Sequence, residues 1–217
     1  MFYAVCNCLY SLSHGAALWH IVKRGDEMIA YKPYNRTRAV EYARRFAFTR
    51  NPLFYNFTEI GGDCTNFVSQ ALLAGSCVMN YTPDFGWYYR SVDDRAPAWT
   101  GVTFFWQYMT AAPRFVSAGG DTGPLGEEVD GPDELMVGDV VQLANEQGEF
   151  YHTLLVSGKR NGELLMAAHS IDAFDRPLSE YRYASARYLH IVGVRIKVNL
   201  PDCYQALLAG EALPGEE

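Results

Sequence analysis

The chain has 217 residues and a formal net charge of −7, with 49% of its residues hydrophobic and 20% charged. That composition can bury a core and excludes a disordered, collagen-like or coiled-coil chain. An acidic balance without a run of Lys or Arg argues against nucleic acid as a partner, and five cysteines are too few and too odd in number for a disulfide framework, which points to a reducing compartment.

Residues 1–33 carry Cys6, Cys8, His14 and His20 without periodicity and end at Lys32-Pro33, so they read as an N-terminal extension. The stretch Met1 to Ala17 lacks a basic start and is interrupted by Asn7, Ser11, Ser13 and His14, which predicts no signal peptide. No segment approaches the roughly 18 apolar residues of a membrane span. The chain is therefore expected in the cytoplasm, or outside the cell if the true start lies upstream. Cys6-Asn7-Cys8 lacks zinc-finger spacing and no second cysteine pair follows, so no metal or other cofactor is expected.

From Asn35, a plausible N-cap, Ala39, Val40, Ala43, Phe46 and Ala47 recur at helical spacing opposite Arg38, Glu41, Arg44 and Arg45, predicting a helix with one buried stripe. After an aromatic loop over 51–60, Gly61-Gly62-Asp63 precedes a second helix marked by Phe67, Val68, Ala71 and Leu72 and stopping at Gly75. Residues 76–136, rich in aromatics with Pro and Gly, read as ordered loops with a short helix. Trp87, Tyr88, Tyr89 and Trp99 there form either core or the wall of a cleft. From Gly138 the period becomes two, predicting strands over 140–143, 150–157, 163–170 and 188–198 joined as hairpins, and 201–217 is left as a tail.

Asp63 in the N-cap position puts Cys64 first in its helix, where unpaired amides and the positive helix end favour a thiolate. The Cys64 thiol is thus expected to have a depressed pKa, with its own amide placed to donate to an oxyanion. A thiol nucleophile in acyl transfer needs an imidazole, and His152 and His169 both fall in the predicted hairpin over 150–170. If 159–162 is a four-residue loop, His152 sits directly opposite His169; if Asn161-Gly162 alone turns, the two are diagonal but on one face. Either register makes His152 the base and His169 its orienter, with Asp172 as a competing orienter. Cys77 and Cys203 stand alone and read as packing or surface thiols. Asn66 reads as a capping residue.

Several of these segments together resemble a known family. Tyr34-Asn35-Arg36, Asp63-Cys64-Thr65-Asn66-Phe67-Val68-Ser69-Gln70, Trp99-Thr100-Gly101-Val102, Gly138-Asp139-Val140-Val141-Gln142-Leu143, Tyr151-His152-Thr153, and Ala168-His169-Ser170 with Arg176-Pro177-Leu178 look like the putative amidase domain of bacterial proteins, related to the NlpC/P60 and CHAP cysteine peptidases. The resemblance covers about residues 34–195 and implies an α+β, papain-like fold: a cysteine-bearing helix packed on an antiparallel sheet that supplies the histidine. It matches Cys64 to the nucleophile, His152 to the base and His169 to the third polar position, while Thr65 departs from the Ser-Gly usual in NlpC/P60 proteins. The expected activity is hydrolysis of an amide or peptide substrate, with a peptidoglycan fragment one candidate, and Asp63 and Trp99 are expected beside the substrate or its oxyanion. The alternatives are a silent ligand-binding module on the same fold and an acyltransferase using the same nucleophile.

Overall fold

The computed structural model describes residues 20–24, 27–197 and 204–211. Its elements in chain order are β1 (His20–Arg24), β2 (Glu27–Lys32), α1 (Arg36–Phe46), α2 (Cys64–Ser76), α3 (Pro97–Thr100), α4 (Val102–Met109), α5 (Pro113–Ser117), β3 (Gly123–Val129), β4 (Val140–Ala144), β5 (Phe150–Arg160), β6 (Glu163–Ala168), β7 (Ala173–Pro177), β8 (Ser185–Lys197) and α6 (Tyr204–Ala209). The strands pair antiparallel in the order β1-β2-β8-β4-β5-β6-β7, with β3 also on β8. A helix-bearing antiparallel sheet is the α+β architecture expected. Among the described residues no helix is long and apolar enough to cross a membrane.

Alternation along the central strands gives the sheet two buried faces. Val140, Leu155, Ala167, Leu189 and Ile191 pack against α1, α2 and α4, while Val141, Leu143, Leu154, Val156, Leu164 and Met166 pack against Leu135 and Leu178 on the other side. Central β4 is buried along its whole length because both faces are covered. In α1 the buried residues Ala39, Val40, Tyr42, Ala43 and Phe46 form one stripe, and the Asn35 side chain accepts from the Arg38 amide at 3.1 Å as its cap. Every residue of α2 is buried, so it is the core helix and not a surface one.

Several boundaries move. Helix α2 runs through Gly75, where a Cβ would stand 2.3 Å from the Tyr34 ring, and ends at Ser76 with Cys77 as a left-handed cap at φ 50°. Cys77 is disulfide-bonded and not the lone thiol expected, whereas Cys64 is free. Residues 27–32, read as part of an extension, are β2 and hydrogen-bond to β8, so they belong to the sheet. The supposed tail contributes α6, whose Tyr204 and Leu207 are buried in the helical core. Cys6, Cys8, His14 and Cys203 lie outside the described residues, and among those described no three His, Cys, Asp or Glu side chains converge to hold a metal.

Candidate active site

Cys64 begins α2 and is 7% exposed. Its sulfur accepts from the backbone amide of Thr153 on β5 and meets the Thr65 hydroxyl at 3.8 Å. Thr153 pairs with Gln142 of β4 on one side, while β6 pairs with β5 only from Leu155 onward, so β5 has an open edge at the residue whose amide meets the sulfur. Burial pushes the thiol above its ordinary value of 9.0; the Thr153 amide, the Thr65 hydroxyl and the amides of Thr65 and Cys64 pull the other way but do not win. The depressed pKa expected from the helix end alone is thereby overturned: the helix supplies donors, but the surrounding core removes water from the anion.

Asp63 holds the N-cap position, but its side chain makes no cap hydrogen bond. Its carboxylate is turned inward, where Oδ1 accepts from the Phe57 amide at 3.0 Å and the Asn66 side chain at 2.8 Å, and Oδ2 accepts from His169 Nδ1 at 2.7 Å. The Ser170 hydroxyl accepts from the Asp63 amide at 2.8 Å. Asn66 Oδ1 in turn accepts from Trp99 Nε1 at 2.8 Å. Asp63 and Trp99 are both 0% exposed with these groups engaged, so neither faces substrate; they shape the start of α2 from within the core. Trp87, Tyr88 and Tyr89 are buried too, which makes that cluster core and not cleft wall.

His169 is 1% exposed, stacked on Phe67 of α2 at 3.9 Å, with Nε2 against the Phe46 carbonyl at 2.8 Å. His152 lies across from Leu143, shares a face with Leu154, and is flanked by Tyr151 and Tyr181 at about 6 Å. The two histidines therefore stand on opposite faces of the sheet and are not neighbours. The hairpin does turn at Asn161-Gly162, with Arg160 opposite Glu163 and Gly158 opposite Leu165, but a bulge follows and Val156 faces Met166. That slip is one residue, and an odd slip exchanges the faces, setting His169 on the side of Thr153. A β-bulge has no reliable mark in the sequence.

Asp172 is not beside His152 either. It makes a two-pronged pair with Arg50, at 2.9 and 3.0 Å, and Arg50 Nε also lies 3.4 Å from Asp63. Arg50 escaped the sequence reading because its partner is 122 positions away. Among the described residues the ring nitrogens of His152 meet no hydrogen-bond partner. Burial first, and then the nearby Arg176, lower its pKa from 6.5 to about 4, so the imidazole is neutral at neutral pH and able to accept a proton.

The family model described as a putative amidase domain matches residues 33–192. The chain is also similar to the uncharacterized protein YhbB of Bacillus subtilis (strain 168), with 33% identity over 144 residues that cover 64% of this chain and 42% of that relative. The chain thus spans about two fifths of the relative's length. No solved structure matches. A core helix opening on Cys64, an antiparallel sheet running past its sulfur, and a family match from the start of α1's cap region into β8 all concern the same span, and the chain belongs to the putative amidase domain family, which points to hydrolysis of amides.

Proposed function

We propose that the protein cleaves an amide bond by nucleophilic attack of the Cys64 sulfur, as papain-like enzymes of the NlpC/P60 and CHAP type do. The observation that carries this reading is the free thiol at the first position of α2, met by the Thr153 amide of β5 within an amidase family chain. Because burial keeps the resting group a neutral thiol, attack is coupled to proton removal and does not start from a preformed thiolate. His152 is the base: it is neutral, and it stands one residue along the strand from the amide that touches the sulfur. Its imidazole starts on the face of β5 opposite Thr153, so this role requires the side chain to turn past the open edge of the strand. His169 is no rival, since both its nitrogens are already engaged.

In this mechanism the S–C bond forms as the thiol proton passes to His152. The oxyanion is met by the Cys64 amide, the leaving amine takes the proton from His152, and water then releases the acyl group with His152 again as base. The disulfide at Cys77 fits an oxidising compartment better than the reducing one expected from the cysteine count. The test is turnover of a panel of simple amides and peptidoglycan fragments, with new amines read by mass spectrometry. Cys64→Ala and His152→Ala are expected to fall by about 10³-fold or more while staying folded. Retained turnover in Cys64→Ala would remove the thiol from the reaction.

A further inference from the structure

Behind Cys64 a row of polar side chains, fully buried from Gln142 to Thr65 and half-buried at Arg187, runs across the sheet. Arg187 of β8 is held between the rings of Trp106 and Phe150, at 4.1 and 3.8 Å, and its Nε and Nη2 donate to Gln142 Oε1 at 2.9 and 2.5 Å. Arginine has no acceptor, so the oxygen of the Gln142 amide must face it, and the NH₂ end must point away. That end donates to the Val102 carbonyl at 2.9 Å and to Thr153 Oγ1 at 3.1 Å. Thr153 Oγ1 also lies 2.9 Å from Thr65 Oγ1, which is the hydroxyl 3.8 Å from the Cys64 sulfur. Gln142, Thr153 and Thr65 are each 0% exposed, so solvent does not scramble the order.

Each link fixes the next. The Thr153 oxygen accepts a hydrogen bond from the Gln142 NH₂, and since Thr65 Oγ1 is the only acceptor the Thr153 hydroxyl meets among the described residues, its proton is directed there. The Thr65 oxygen is then the acceptor of that bond, which directs its proton to the sulfur. We infer that Arg187, Gln142, Thr153 and Thr65 form a one-way hydrogen-bond relay that holds a hydroxyl donor on the Cys64 sulfur, making Gln142 and Thr153 positioning residues for the nucleophile. This rests on the reading of Cys64 as nucleophile, and it explains how a thiol in the core can still become an anion during attack: a donor is aimed at it before the charge appears. Consistently, the Thr65 hydroxyl opposes the upward effect of burial on the thiol.

The experiment follows iodoacetamide alkylation of Cys64 against pH by peptide mass spectrometry in the full chain. The limiting rate at high pH reports access, and the midpoint reports the anion. Thr65→Val is expected to move the midpoint up and slow alkylation by about tenfold at a fixed pH below it, the scale of one hydrogen bond to a charged group, while Thr65→Ser stays within about twofold of the parent. Gln142→Glu gives Thr153 an acceptor in place of a donor and reverses the row, so the midpoint should rise there too. A through-space charge effect would do the same, and a double-mutant cycle separates the two: on the relay reading Gln142→Glu adds nothing once Thr65 is Val. Should Gln142→Glu not fold, Thr153→Val goes through the same cycle. An unmoved midpoint in Thr65→Val, or additive shifts in the cycle, would overturn the relay. Alkylation needs no substrate, so turnover retained by Cys64→Ala would sink the proposed reaction and leave these midpoints standing.

Discussion

Asp63 and Asp139 are both 0% exposed, each meets a histidine Nδ1 at 2.7 Å, and each has an arginine alongside. By ingredients they are the same device. Asp139 joins Arg36 at the start of α1 to the β8 backbone, accepting from the guanidinium at 2.5 Å, the Ile191 amide at 2.8 Å and the Met136 amide at 2.7 Å, while Arg36 donates onward to the Ile191 carbonyl at 2.6 Å. Asp63 instead joins the turn after β6, through His169 and Ser170, to the start of α2, where Cys64 is the first residue. An Asp–His pair with good geometry therefore does not identify catalysis; what separates these two is the thiol one residue away from one of them and nowhere near the other.

The hardest blow to that comparison is to remove each carboxylate. Asp139→Ala strands the Arg36 guanidinium and two amides, and is expected to cost about 3–5 kcal/mol in urea unfolding while turnover per folded molecule stays the same. Asp63→Ala is expected to cost a similar amount and, in addition, to depress turnover per folded molecule, because the start of α2 loses its inward anchor. Equal effects of the two on turnover would show that both are purely structural.

A second measurement sharpens the contrast between the two carboxylate-paired histidines and His152, which has no carboxylate. The unfolded chain protonates His152 near 6.5 and the folded one only near 4, so between those values the unfolded state binds more protons and stability falls as the pH drops. Above the upper value the residue contributes nothing; below the lower one the loss levels off at about 3 kcal/mol. His152→Gln should flatten that part of the urea-midpoint profile relative to the parent. In the active protein kcat/KM should rise through about pH 4, where His152 becomes a base, with no acid limb near neutrality. A limb near 6.5 would mean that the imidazole is solvated when it works.

The smallest effect belongs to the Arg50–Asp172 pair, whose side chains are 26% and 33% exposed. Asp172→Asn should change stability by no more than about 1 kcal/mol and leave the pH profile of turnover unmoved, in contrast with the loss expected for His152→Ala. A collapse of turnover in Asp172→Asn alone would restore Asp172 to the site as an orienter.

Periodicity and turn chemistry made much of the fold legible. The stripe of α1, the Asn35 cap, the start of α2 at Cys64 and the Asn161-Gly162 hairpin are all local events, set by residues within one or two turns of each other. Elements that depend on distant pairing were not: β2 and α6 look like loose ends until β8 and the helical core cover them, and β3 hides among loops until β8 supplies its partner.

The same division runs through the site. Sequence alone determined that Cys64 opens a helix and that His152 lies on a strand, because a cap position and a two-residue alternation are written in neighbouring side chains. Tertiary structure decided the rest. A one-residue bulge chose opposite faces for His152 and His169, the burial of α2 on all sides raised a thiol that the helix end would have lowered, and Asp63 gave up capping for contacts 106 positions away. The reason is that face, solvent exposure and long-range pairing are properties of how elements stack, whereas a sequence window reports only what its own residues do to one another.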